Sequence, residues 1–241
     1  MKDKVLFGAL VPDWSPAQRP EATEICGRHT VLEPLEAARH ADALFDAFDG
    51  HDALWGYLPY GPFASSRAYA AWIDETVAKP EHMFFAIRSR ALGRVLGVAS
   101  YLRIDPTNGS IEVGNLCFSP LLKQSRIATE AMALMMEYAF SLGYRRYEWK
   151  CNALNIPSRR AAQRLGFSFE GVFRQATIVK GRNRDTSWFS IIDSEWPALD
   201  LIYRDWLIDC NFDSTGKQRT SLSQLTSPLV AQHDPVLGAA S

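Results

Sequence analysis

Apolar and polar positions along the chain repeat with two periods, and the period switches several times. A two-residue alternation rich in branched and aromatic side chains predicts strands over residues 29–35 (HTVLEPL), 83–89 (MFFAIRS), 94–104, 110–119 and 145–151. The same signal returns over 168–181 and 184–193, where Gly181 to Asn183 read as the turn of a hairpin. A helical period predicts helices over 36–48, 65–77, 122–142, 157–165 and 197–209. The strongest is 122–142, dominated by Ala, Met, Leu and Glu and closed by Gly143. The order is strand, two helices, three strands, helix, strand, helix, two strands, helix. It reads as a mixed α/β fold with one sheet and helices on both faces.

The two ends break the pattern. Residues 1–26 are Pro-rich with few periodic positions, and are expected to form an irregular arm lying against the domain. Residues 211–241 are dense in Ser, Thr and Gln without a sustained period, and are expected to be a mostly disordered tail. The domain proper is expected to span residues 27–210. Its size agrees with a chain of 241 residues, 47% apolar and 22% charged, which can bury a core without metals or disulfides.

Charge and composition narrow the function. With 26 Lys plus Arg against 27 Asp plus Glu, the chain does not bind nucleic acid through bulk charge. No apolar run reaches the roughly 18 residues a membrane span needs, and the first residues make a poor signal peptide. Cys26, Cys117, Cys151 and Cys210 lack ligand spacing, as do the histidines, so reduced thiols, no metal and a cytoplasmic location are expected.

One segment concentrates chemistry. A strand ending in Phe118 runs directly into the helix beginning near Lys123. The first N–H groups of such a helix lack intrahelical partners and favour an anion. Lys123 and Arg126 add formal positive charge, which suits a diphosphate; two cations on a solvated loop is the plainer reading.

This segment resembles the Q/R-x-x-G-x-G/A motif of the GNAT N-acetyltransferase superfamily. Lys123 stands for Gln/Arg, Ala128 matches the last position, and Ile127 lies between. Arg126 replaces the middle glycine, so its side chain must turn outward or meet a phosphate itself. Asn155, Ser158 and Leu165-Gly166-Phe167 resemble the N-x-x-S…L-G-F signature of the RimJ/RimL-type branch, which acetylates ribosomal-protein N-termini. Trp55 with residues 58–63, Ile111 to Gly114, Glu170-Gly171, Arg174, Gly181, Asp185 and Glu195-Trp196 fit the same branch. The resemblance implies a single α+β domain with a mixed, mostly antiparallel sheet, and acetyl-CoA as cosubstrate without a metal.

It also implies roles for individual residues. Pantetheine would bond to backbone near Leu116 and Phe118. Lys123, Arg126, Ile127 and Ala128 would hold the diphosphate, and Asn155 would bond the pantetheine amide unless it is only a helix-start residue. Glu112, two residues from Gly114 and in phase with Leu116 and Phe118, is the candidate base. Its alternatives are an exposed acid or a partner for Arg103. The family's usual Tyr, seven residues after Asn155, is Ala162 here, so Ser158 is the hydroxyl left to meet the departing sulfur; it could instead cap the helix, and the two roles are compatible. Trp55, Tyr57 and Tyr60 would wall the acceptor cleft or form an apolar plug. The expected activity is direct acetyl transfer to a primary amine, a protein N-terminus or a small molecule. The alternative is a catalytically weak CoA-binding regulatory or interaction module, favoured by Arg126 and Ala162. The expected partner is the amine acceptor, with no nucleic acid or membrane and with room for a homodimer.

Overall fold

The branched and aromatic runs pair into one eight-stranded sheet in a computed structural model that describes residues 6–238. Along the chain the strands are β1 (Ile25–Cys26), β2 (Thr30–Pro34), β3 (His82–Ser89), β4 (Val95–Asp105), β5 (Ser110–Phe118), β6 (Arg146–Asn152), β7 (Ser168–Val179) and β8 (Arg182–Ile192). Their spatial order is β1-β2-β3-β4-β5-β6-β8-β7, and every pairing is antiparallel except β5 with β6. The helices are α1 (Ala37–Phe48), α2 (Ser66–Val77), α3 (Arg126–Ser141), α4 (Ile156–Arg164), α5 (Trp196–Trp206), α6 (Leu222–Thr226) and α7 (Pro235–Gly238).

Alternation along the strands sends successive side chains to opposite faces, and each face has its own helices. On one face, Leu44 and Phe48 of α1 and Tyr69 and Ile73 of α2 pack on Phe84, Ala86, Val98 and Cys117. On the other, Met132, Met135 and Met136 of α3 and Leu199 and Tyr203 of α5 pack on Phe85, Tyr101, Ile111, Val113, Tyr147 and Phe189. The α1/α2 pair covers only the β2–β4 half of its face. Glu112, Lys150 and Trp188 lie on the same face over β5, β6 and β8, beyond those two helices, with Glu112 and Lys150 buried.

The helix expected from residue 122 starts at Arg126. Ser119 carbonyl oxygen accepts from both Leu122 and Lys123 N–H, and Gln124 takes φ +56°, so residues 119–125 form a tight turn that cannot be helical. Ser125 caps the helix by accepting from Ala128 N–H at 3.1 Å.

The two ends behave differently from each other. The described part of the N-terminal arm is mostly irregular and touches the domain: Trp14 Nε1 donates to Thr107 carbonyl oxygen at 3.0 Å, and Ala17 is buried. Residues 1–5 lie outside the described part. The tail expected to be mostly disordered is instead folded back through residue 238, with residues 239–241 outside the description. Leu222, Thr226 and Asp234 are buried, and Asp234 pairs with Arg159 of α4 through two 2.6 Å hydrogen bonds. A few well-placed anchors outweigh the polar composition. No helix among the described residues is long and apolar enough to cross a membrane.

Candidate active site

The parallel pair at the centre of the sheet is incomplete. β5 and β6 match in register over only four residues, from Ser110↔Arg146 to Val113↔Trp149. Both strands continue beyond that point, but apart. A bulge in β5 accompanies the divergence: Val98 faces Cys117 while Ser100 faces Gly114, so one extra residue sits in β5. Asn115 supplies it at φ +53°, an angle Asn tolerates better than most residues. Its Nδ2 donates to Ser100 Oγ at 2.9 Å, which fixes the kink. The result is a wedge whose β5 wall, residues 114–118, offers backbone N–H and C=O groups that β6 does not take.

The bulge corrects one expectation. Glu112 and Gly114 share a face, but the alternation does not carry on to Leu116 and Phe118. Those two pack with the α3/α5 core, and Cys117 turns to the α1/α2 core. The extra residue flips the phase of everything after it.

The wide end of the wedge meets the start of α3. Ser125 already satisfies Ala128 N–H, which leaves the N–H groups of Arg126 and Ile127 in the uncapped part of the first turn. Lys123 is exposed there, and its amine has no partner among the described residues. Arg126, in the position of the motif glycine, turns its side chain away. Its Nη1 donates to Asp209 at 3.0 Å, and its guanidinium lies 4.4 Å from the Phe212 ring centroid. Ile127 is half-buried against the α3/α5 core.

On the opposite wall, α4 follows β6 through a tight turn. Asn155 is its N-cap, with Oδ1 accepting from Ser158 N–H at 3.2 Å. Ser158 is therefore not the cap. Its Oγ accepts from Trp149 Nε1 at 3.1 Å, which leaves the hydroxyl hydrogen to be given elsewhere. Ala162 is fully buried. Burial pushes the Cys151 thiol up to about 11, despite the nearby Ser158 hydroxyl, and Cys117 to about 12, so neither is a ready nucleophile.

At the narrow end Glu112 is 3% exposed. Its Oε2 accepts from Arg103 Nη1 at 2.7 Å and lies 2.9 Å from Lys150 Nζ. Lys150 also touches Glu148 Oε2 at 2.7 Å and sits 3.7 Å from the Trp188 ring centroid. The second carboxylate oxygen, Oε1, has no hydrogen-bond partner among the described residues and points along β5: a Cβ on Gly114 would lie 3.6 Å from it. Burial pushes the Glu112 pKa above the ordinary carboxylate value, although Lys150 and Arg103 pull it down.

The aromatic loop closes the uncovered face. Trp55 is buried and makes edge contacts with Phe48, Tyr60, Phe63 and Tyr69, so it belongs to an apolar plug. Tyr60 joins the plug through Trp72, with centroids 4.2 Å apart. Tyr57 alone of the three is largely exposed, and its hydroxyl donates to Leu154 carbonyl oxygen at 3.1 Å. Gly61 sits at φ +66°, and a Cβ there would come within 2.5 Å of the Trp55 ring.

Several contributors were not visible in the sequence. Lys180, at the β7–β8 turn, donates to the carbonyl oxygens of Trp55, Tyr60 and Gly61 at 2.9, 3.1 and 2.7 Å. It ties the hairpin to the aromatic loop across the cleft. Arg103 pairs with Glu112, as one of the sequence alternatives had it, whereas Lys150 reaches Glu112 through the sheet register and not through sequence spacing. No group of His, Cys, Asp and Glu that could hold a metal occurs among the described residues.

Relatives carry the same architecture. A GCN5-related N-acetyltransferase from Brucella melitensis is 45% identical, with a TM-score of 0.88 over 90% of this chain and 100% of that one. The ribosomal-protein-serine acetyltransferase of Escherichia coli K12 is 34% identical over 102 residues, which are 42% of this chain and 57% of that enzyme. An uncharacterized N-acetyltransferase, p20, of Bacillus licheniformis is 29% identical over 57% of this chain and 78% of its own length. The profile of the Acetyltransferase (GNAT) domain matches residues 29–168, across both walls of the wedge. The chain belongs to the GNAT acetyltransferase family.

Proposed function

We propose that this protein transfers an acetyl group from acetyl-CoA directly to a primary amine, either a protein N-terminus or a small amine. The observation that carries the reading is the wedge between β5 and β6. It opens onto a helix start whose Arg126 and Ile127 N–H groups the Ser125 cap leaves unmet, with a free lysine, at one end and onto a buried carboxylate at the other. An elongated cosubstrate with an anionic head and a reactive tail fits that polarity. Lys123 and the first N–H groups of α3 meet the diphosphate. The backbone edge at Leu116 and Phe118, with the Asn155 amide, bonds the pantetheine arm, while Arg126 stays with Asp209.

Glu112 Oε1 takes a proton from the incoming amine, directly or through water, while Lys150 and Arg103 hold Oε2 and fix the carboxylate. A raised pKa brings this carboxylate nearer the operating pH, where a base is most effective. Ser158 keeps its Trp149 bond as acceptor and donates a hydrogen bond to the sulfur as the carbon–sulfur bond breaks, stabilising the departing thiolate. Trp55 and Tyr60 stiffen the acceptor wall, and Tyr57 forms its edge. The Escherichia coli relative acts on a ribosomal protein, which favours a protein N-terminus as one acceptor class.

A catalytically weak CoA-binding module is the second reading. It is favoured by the two cations already on Glu112 and by Ala162 on α4. Incubation of a cell extract with the protein and isotope-labelled acetyl-CoA, followed by mass spectrometry of amines, separates the two. Label on defined amines supports transfer; CoA binding without any labelled amine refutes it.

A further inference from the structure

Arg184 is a partly buried basic side chain of this face that has no carboxylate partner among the described residues. Strand alternation sets its direction. Phe189 and Ile191 of β8 point into the α3/α5 core, whereas Trp188 lies against Lys150 on the opposite face. Thr186 and Arg184 follow Trp188 at two-residue intervals, and the β6–β8 register runs unbroken to Asn152↔Thr186. Arg184 therefore faces the same side as Glu112 and Lys150, just past the last residue of β6. Lys180, at the turn of the same hairpin, and Tyr57 tie the aromatic loop across the cleft.

The other cations of the cluster are spoken for. Arg103 pairs with Glu112, Lys150 with Glu112 and Glu148, and Arg146 with Glu148 and Glu170. Arg184 has no ion pair and no side-chain hydrogen bond among the described residues, and its Nε is buried without a partner. Asp185, its neighbour, is on the other side of the strand, engaged with Gln175 N–H and Asn183 Nδ2. Trp188 Nε1, on the Arg184 side, is a second buried donor with no acceptor. Buried donors are ordinarily satisfied, and leaving one unmet is costly. Burial also lowers the Arg184 pKa, a cost that a bound anion would offset.

We propose that Arg184 reads a carboxylate that the acceptor carries close to the amine being acetylated. This rests on the acetyl-transfer reading above and narrows its substrate class. Two sources share the chemistry: the α-carboxylate of a free amino acid, and the acidic side chain of an N-terminal Asp or Glu in a peptide. A planar guanidinium with free N–H groups matches a carboxylate's two oxygens, and Glu112, the acid near it, is already held by Arg103 and Lys150. A polycationic amine is disfavoured at the same place.

The test compares matched acceptor pairs. One arm uses peptides beginning with Glu against Gln and Asp against Asn; the other uses free amino acids against their primary amides. The expected kcat/KM ratio in at least one arm is about 10- to 100-fold in favour of the carboxylate, the size of one charged hydrogen-bonded contact. The arm that shows it identifies the source. Arg184→Met should collapse that ratio toward one, and Arg184→Lys should keep part of it. CoA affinity should hold in both, and a thermal melt confirms folding. Equal rates within every pair for the unaltered protein overturn the proposal, and so does a ratio that survives Arg184→Met. A binding readout separates this from the parent reading. N-acetyl-Glu and N-acetyl-Gln peptides, and N-acetyl amino acids and their amides, are titrated calorimetrically in the presence of CoA. If no amine is acetylated yet the carboxylate ligands bind more tightly through Arg184, acetyl transfer falls and the anion site stands. If neither turnover nor binding discriminates, the anion site falls.

Discussion

Replacing Asp234 by Ala tests whether the C-terminal segment is part of the folded domain. Arg159 and Asp234 are 4% and 0% exposed at their side chains and share two 2.6 Å hydrogen bonds. Arg159 has one further bond, to Ala153 carbonyl oxygen at 2.7 Å. Loss of the carboxylate leaves a buried guanidinium with that single acceptor. Breaking a buried pair from one side costs about 3–5 kcal/mol. For a chain of this size each kcal/mol moves the midpoint by about 2–4 °C, so the melting temperature should fall by about 6–20 °C. The assay is thermal and urea unfolding of Asp234→Ala beside the double variant Arg159→Met, Asp234→Leu. The double variant should recover most of the loss, because an apolar pair carries no stranded charge. A single variant within about 1 kcal/mol of the unaltered protein would refute the reasoning and show that the segment does not dock in solution.

Three further outcomes are expected. Ser158→Ala should lower the single-turnover rate by about 10²–10⁴-fold with CoA affinity kept; the helix cap, Asn155, stays, so any fall in melting temperature reports the lost acceptor of Trp149 Nε1, and an unchanged rate removes Ser158 from the chemistry. Glu112 acts as a base only when ionised, and its pKa is raised, so kcat/KM should fall as pH drops through a value above the ordinary 4.5; Glu112→Gln should be slow and lack that acidic limb, and a superimposable profile excludes the role. Lys180→Met should release the loop over the cleft and speed limited proteolysis within residues 50–63; cleavage at the original rate would show that the three carbonyl contacts do not hold it.

Periodicity made most of the fold legible. Each run of branched or aromatic residues became a strand, because one face of each is buried and a slip would expose it. The site was legible where chemistry follows chain order, as in the turn from β5 through Lys123 into α3, or Asn155 and Ser158 on one helical turn. It was illegible where geometry depends on a single backbone angle or a distant partner. Nothing in the sequence separates Asn115, which reverses the phase of Leu116 and Phe118, from any other strand asparagine. Asp234 sits among Ser, Gln and Pro and meets Arg159 across 75 positions. Ser158 and Asn155 both read as caps, and only the helix start decides between them. Arg184 reads as one more charge at a hairpin until the register shows which face it occupies.

The early end of the β5–β6 ladder has a mechanical meaning. At sheet level the two halves of the domain are joined by the four register pairs that end at Val113↔Trp149, and beyond them β5 and β6 do not pair with each other. A pantetheine arm carries two amides on a thin chain and can bond to the β5 edge as a partial strand would. The cosubstrate is then also a brace. Amide exchange in residues 114–118 should slow when the wedge is filled, and the transition midpoint should climb with ligand concentration as binding to the native state alone requires. In the proposed reaction each turnover would then loosen the domain as the product leaves and stiffen it again as the next cosubstrate arrives.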